Sequence, residues 1–203
     1  MAATLRDADP GGHAVWLVRH GETEWARLGR HTGRTDVPLT ETGRAQAIAL
    51  GARLAGHPFD LVLTSPLSRA ADTAALAGFG DRAIVDPDLR EWDYGAFEGR
   101  LTTEIRAEYP GWTIWRGPWP DGETIDQVAA RADRVVARVR AAQGDALVVA
   151  HGHLLRVVAA RWLRLRPASG SLFALGTATV SILGWEREYP VIETWNEGSS
   201  DPT

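Results

Sequence analysis

The sequence contains no cysteine. That removes disulfides, thiolate metal sites and every reaction needing a cysteine nucleophile, and it leaves the redox state of the compartment unspecified. Lysine is absent too, since all 22 basic residues are arginine. A Walker-type phosphate lysine, a kinase lysine and a Schiff base are therefore impossible. Phosphate, if bound, falls to arginine and histidine. No run approaches the roughly 20 apolar residues of a membrane span, and the start MAATLRDADPGG lacks an apolar signal core. A cytoplasmic protein without a membrane partner is expected. Net charge is −4 with no basic block, which argues against nucleic acid as a partner but leaves room for a local arginine cluster that holds small anions.

The remaining composition is that of a globular protein: 44% hydrophobic and 24% charged residues sit near the usual averages, so neither disorder nor a fibrous repeat is indicated. A length of 203 residues suits one domain. Residues 1–203 are read as that domain, with loose termini at about 1–12 and 197–203 and a lid-like insertion at about 92–123, rich in Pro and Gly.

Short apolar runs alternate with Ala/Arg-rich stretches of helical spacing. This predicts an α/β three-layer sandwich with a mainly parallel sheet flanked by helices. Strands are expected at Ala14 to Val18, Leu61 to Leu63, the AIV run, Ala146 to Ala150, TATVSILGW and a short terminal VIETW. Helices are expected from about Glu41 to Leu54 behind a Thr40 cap, over SRAADTAALA, from Thr103 to Glu108, from Thr124 to Ala142 and from Leu154 to Leu165. Ala45, Ile48, Ala49 and Ala52 mark the apolar face of the first, and Ile125, Val128, Ala132, Val135, Val136 and Val139 that of the fourth.

Two of the apolar strands run directly into His-Gly, at His20 and at His151. In open α/β sheets ligands bind beyond the carboxyl ends of strands, so both imidazoles belong to one edge. Arg19 precedes the first, and Arg69 opens a helix just past another strand. Arginine forks match phosphate oxygens and stay charged at any working pH. A neutral imidazole beside them can attack phosphorus, and the leaving alkoxide then needs a carboxyl as proton donor. Glu91 is the candidate, with Asp88, Asp93 and Glu98 as neighbours that chemistry alone does not reject. His151 and His153 are two possible metal ligands where three or four are needed, and no HExxH helix is present. No metal and no organic cofactor are expected.

LVRHGETEW followed by HTGRTDVPLTETGRAQA resembles the signature of the histidine phosphatase, or phosphoglycerate mutase-like, superfamily. TSPLSRAADTA, LREWDYGAFEG, DGET and VVAHGH follow in the family's order, over nearly the whole chain. The resemblance implies His20 as the phosphorylated nucleophile, Arg19 and Arg69 as phosphate clamps, His151 as phosphate ligand and Glu91 as proton donor. It also implies phosphate contacts from Thr32, Gly33 and Gly152. Among nine tryptophans, Trp16, Trp162 and Trp185 are assigned to element cores. Trp92, Trp112 and Trp115, with Arg116, are candidates for a lid that touches substrate, the alternative being that these rings pack the lid onto the body.

Mutases of this family often carry Asn where this chain has Ala26, and have a longer, more basic segment before the second histidine. Here only 60 residues separate Glu91 from His151. EWDYG and AHGH look closer to the branch of broad-specificity acid phosphatases and sugar-bisphosphate phosphatases. The expectation is a phosphomonoesterase acting on small phosphorylated metabolites, with a homodimer possible. The rivals are a cofactor-dependent phosphoglycerate mutase and a non-catalytic phospholigand-binding or phosphoprotein-interacting module.

Overall fold

Ala146–Ala150 is apolar at every position and buried at every position, as a strand covered on both faces must be. It is one of six strands in the computed structural model, which describes residues 12–198. The strands are β1 (Val15–Arg19), β2 (Leu61–Thr64), β3 (Ile84–Val85), β4 (Ala146–Ala150), β5 (Val180–Glu186) and β6 (Tyr189–Glu197), in the order β3-β2-β4-β1-β5-β6. The first four positions in that order are parallel, and β5 and β6 close the sheet antiparallel. β6 lies at the edge as expected but is longer than the VIETW run, and its last residue, Glu197, falls where a loose terminus was expected. Residues 1–11 and 199–203 of the expected loose ends lie outside the described residues.

Among the described residues six α-helices accompany the sheet: α1 (Glu24–Arg27), α2 (Glu41–Leu54), α3 (Ser68–Ala74), α4 (Thr102–Glu108), α5 (Ile125–Arg140) and α6 (Gly152–Trp162). Alternation along the strands splits the interior in two. Leu17, Leu63 and Val148 face a core shared with α5 and α6, while Val18, Val62 and Val149 face a core shared with α2 and α3. This is the three-layer arrangement. Val128, Ala132, Val135, Val136 and Val139 of α5 are buried as their spacing requires, and Ile125 only partly. Residues 92–123 bring Trp92, Tyr94, Phe97, Ile105, Trp112 and Ile114 into that same core. No helix among the described residues is long and apolar enough to cross a membrane.

The face of α2 is a correction. Ala45, Ile48, Ala49 and Ala52 are exposed, Ile48 by 58%, and the buried face is Gly43, Ala47, Leu50 and Leu54. Both faces of this helix are apolar, so periodicity does not separate them; side-chain size and close approach do. Two leucines bury more surface than a set of alanines, each worth about 1.5–3 kcal/mol. Gly43 settles the register. A Cβ on Gly43 would overlap the Glu22 carbonyl oxygen, and a Cβ on Gly21 would overlap the carbonyl of Gly43. The two glycines let α2 lie directly against the backbone that follows β1.

Candidate active site

β1 and β4 are adjacent and parallel, with Arg19 opposite Ala150. His20 and His151 therefore leave the sheet side by side, their ring centroids 5.2 Å apart. The His20 amide still donates to the Ala150 carbonyl (3.0 Å), which fixes the backbone at the point where the chain turns into the site. His20 Nδ1 lies 2.7 Å from the Gly21 carbonyl. A carbonyl only accepts, so Nδ1 carries the proton and Nε2 keeps its lone pair. Burial, and then the Arg19 and Arg69 charges, hold the His20 imidazole well below the usual histidine range and so keep it neutral.

His151 is the residue at which α6 begins, and it is fully buried. Its Nε2 lies 2.7 Å from Ser65 Oγ, which also accepts the Leu67 amide (3.2 Å). Ser65 has its own proton to place, so its hydroxyl donates to Nε2 and Nδ1 becomes the N–H of His151. Burial and the Arg69 charge hold this imidazole well below the usual range as well.

Arg69, 0% exposed on α3, spends three bonds on the loop after α1: to the carbonyls of Thr35 (3.0 Å), Thr32 (3.2 Å) and Gly33 (2.9 Å). Arg19 donates to the Leu175 carbonyl. Arg19 Nε, Arg69 Nε and His151 Nδ1 are buried with no protein partner. Buried N–H groups are seldom left unpaired. Three of them, two on cations, clustered around a bare imidazole nitrogen, form the complement of an anion.

Glu91 arrives from the loop before the insertion and is held at the start of α6. Its Oε1 accepts the Trp92 and Leu154 amides (both 2.9 Å), and its Oε2 accepts the His153 amide (3.0 Å). Of the four acids that chemistry alone allowed, Glu91 is the one that lines the cleft with Arg19 and His20. Asp88 pairs with Arg134, Asp93 with Arg34, and Glu98 holds the Gly33 and Thr35 amides.

The cleft above these groups has a volume of about 180 Å³ and is also lined by Thr32, Tyr94, Gly152 and Arg156. Thr32 and Gly152 stand where the motif order implies, and a Cβ on Gly152 would crowd the Arg19 guanidinium at 3.3 Å. Gly33 does not: its amide is taken by Glu98 (2.8 Å) and its carbonyl by Arg69, so neither is free for phosphate. Its lack of a side chain serves packing, because a Cβ would strike Trp92 and Glu98. The tryptophans are a second correction. Trp92 and Trp112 are buried in the core, their Nε1 groups tied to the Glu123 and Pro118 carbonyls. Trp115 lies behind the wall, its ring 5.4 Å from that of His153, and Arg116 lines a separate groove with Arg166.

Among the groups that escaped the sequence reading are Ser65, buried behind His151, and the cleft residues Tyr94 and Arg156. Ser65 follows β2 as directly as His20 follows β1, so the strand-end rule was enough to find it. Tyr94, whose hydroxyl burial keeps protonated, lies 2.6 Å from His153 Nδ1 and donates to it. Arg156 stands one turn beyond His153 on α6. Among the described residues no group of three or more His, Asp or Glu side chains converges as a metal site.

The histidine phosphatase superfamily (branch 1) profile matches residues 15–198. An acid phosphatase of Mycobacterium tuberculosis is 46% identical over 179 residues, 86% of this chain and 88% of that protein. The sedoheptulose 1,7-bisphosphatase of Saccharomyces cerevisiae is 38% identical over 182 residues, 73% of this chain and 67% of that protein. The solved structure of an open reading frame product of M. tuberculosis superposes with a TM-score of 0.88 at 43% identity, over 93% of this chain and 99% of that one. A profile that spans nearly all of the described residues, and relatives this similar over most of their length, show that the chain belongs to the histidine phosphatase superfamily, branch 1.

Proposed function

We propose that this chain hydrolyses small phosphorylated metabolites through a phosphohistidine on His20. The observation that carries the reading is the set of three unpartnered N–H donors on Arg19, Arg69 and His151 around a neutral His20 whose Nε2 is bare. The phosphoryl group of a monoester binds to those donors. The Nε2 lone pair forms a bond to phosphorus while the bond from phosphorus to the ester oxygen breaks, and Glu91 delivers a proton to the departing oxygen. Developing negative charge on the equatorial oxygens is met by two guanidinium groups and His151 Nδ1–H, already fixed in place. In the second half, the Glu91 carboxylate takes a proton from water, the water oxygen bonds to phosphorus, and the N–P electron pair returns to Nε2. Inorganic phosphate leaves.

A turnover panel of small phosphomonoesters in the presence of EDTA tests this. Hydrolysis should persist, and acid-labile, base-stable phosphate should be trapped on the protein during turnover. Hydrolysis that EDTA abolishes and a divalent cation restores, with no trapped phosphate, would overturn it.

The pH dependence follows from His20. Because its imidazole is held well below 6.5, protonation removes the nucleophile only well below that value. The kcat/KM profile is expected to keep its plateau on acidification through pH 6.5, with the acid limb clearly lower. A limb centred at or above pH 6.5 would contradict a His20 kept neutral by burial and two arginines.

A further inference from the structure

The DGET run before α5 lines no part of the cleft, yet its last three residues are tied to the loop that carries Glu91 or to the helix that steadies it. Gly122 lies against the backbone of that loop, where a Cβ would strike the Asp93 carbonyl oxygen. Glu123 bonds to both residues that follow Glu91. Its amide donates to the Asp93 carbonyl (3.0 Å), its own carbonyl accepts the Trp92 indole N–H (2.8 Å), and its carboxylate Oε2 accepts the Asp93 amide (3.0 Å). Thr124 caps α5, with its Oγ1 accepting the Gln127 amide (3.3 Å).

Arg131 of α5 completes the arrangement, and each of its five N–H groups has an acceptor. Nε and Nη2 form a fork on the Glu123 carboxylate (2.8 and 2.7 Å). Nη1 donates to the carbonyls of Asp88 (2.7 Å) and Arg90 (2.9 Å), and Nη2 turns its second proton toward the Glu91 carbonyl (3.4 Å). The two side chains are only 12% and 18% exposed, unlike the freely solvated pairs that contribute little. Burial pushes the Glu123 carboxyl up, but the Arg131 bonds and charge and the Asp93 amide together hold it below the usual carboxylate range. Glu91 is thus held twice: its carboxylate against the first amides of α6, and its backbone against α5 through Arg131. Glu123 and Arg131 line a separate hollow of about 60 Å³ together with Glu91, and of the three only Glu91 also lines the cleft. The pair acts through Glu91 and does not meet substrate.

We infer that the Glu123–Arg131 ion pair is a positioning device for proton transfer, fixing the loop that carries Glu91 and so the reach of its carboxyl to the ester oxygen and then to water. This rests on the phosphatase reading, in which Glu91 is the proton donor. Reacting groups tolerate little displacement, and a shift of about 1 Å caused by a change far from the chemistry can cost about 10²-fold.

The test measures kcat/KM for glycerol 3-phosphate and p-nitrophenyl phosphate in Glu123→Gln, Arg131→Gln and Arg131→Lys, each made in the wild type and in Glu91→Gln. The ratio of the two esters cancels any loss of folded enzyme, and it senses proton donation because only the alkyl ester depends on it to leave. Glu123→Gln and Arg131→Gln are expected to lower the ratio by about 10–100-fold and to let phosphohistidine accumulate during p-nitrophenyl phosphate turnover. Arg131→Lys, which keeps the charge but not the five donors, should recover part of the loss. In Glu91→Gln the same substitutions should leave the ratio within about twofold, because groups that act through one residue are not additive. A ratio unchanged by all three substitutions, or lowered as far in Glu91→Gln as in the wild type, overturns the inference and leaves the phosphatase reading standing. If the glutamine variants fail to fold, Arg131→Lys decides by the same two comparisons, with a smaller fall expected. A wild type inactive on both esters overturns the phosphatase reading and the inference with it.

Discussion

Replacing His20 by alanine is expected to lower turnover of every phosphomonoester by roughly 10⁴–10⁶-fold, the scale on which loss of a covalent nucleophile is felt in well-studied enzymes. No neighbour can take over. The imidazole packed against it, that of His151, has its Nε2 occupied by Ser65, and its Nδ1 carries the proton, so it offers phosphorus no lone pair. Phosphate binding should survive, because Arg19, Arg69 and His151 keep their donors. The variant should therefore still bind phosphate or vanadate within about tenfold of wild type, while trapped acid-labile phosphate disappears. Turnover within tenfold of wild type in His20→Ala would remove the phosphohistidine route.

The second large effect falls on Glu91→Gln. The amide retains the shape of the carboxyl, and its oxygen can still accept the Leu154 or His153 amide, so the start of α6 stays in place. What disappears is the transferable proton. For an alkyl phosphate, whose alkoxide leaves poorly, kcat should drop by about 10²–10⁴-fold, the usual contribution of general acid–base catalysis. For p-nitrophenyl phosphate the leaving phenolate hardly needs protonation, and burst kinetics should show formation of the phosphoenzyme falling far less. Its breakdown, which needs a base for water, should become slow enough to accumulate phosphohistidine. Equal loss on both ester types with no accumulation would move the proton-transfer role away from Glu91.

Much of this site is legible in the chain because strand ends are. Apolar runs that stop at His-Gly or at Thr-Ser-Pro give His20, His151 and Arg69 their places on one edge of a parallel sheet with no tertiary information. Glu91 is different. Four acids in one loop have equal chemical claims, and the choice depends on which of them meets the first amides of α6 some 60 residues later. That contact is invisible to local pattern. The α2 face was misread for a related reason: alanines repeat on both sides of the helix, and the outcome turned on a backbone approach between Gly43 and Gly21. Tryptophans in a Pro/Gly-rich segment read equally well as lid or as core. Burial of their rings in the α5–α6 core, with indole N–H groups satisfied by nearby carbonyls, is a property of packing that spacing does not encode.

The amides of His20 and Ser65 both hang from carbonyls of β4, at Ala150 and Val149, and the glycine interlock seats α2 against the residues just after His20. Freeing the nucleophile would require the central strand to leave the sheet, an opening as costly as unfolding the domain itself. The rim is built otherwise, with Arg30, His31 and Arg156 reaching the cleft from a loop and from the outer turns of a helix. Substitutions there can redirect which esters are accepted without loosening the atoms that attack phosphorus. The architecture thus leaves selectivity adjustable at the rim while the reactive geometry is locked to the stability of the fold.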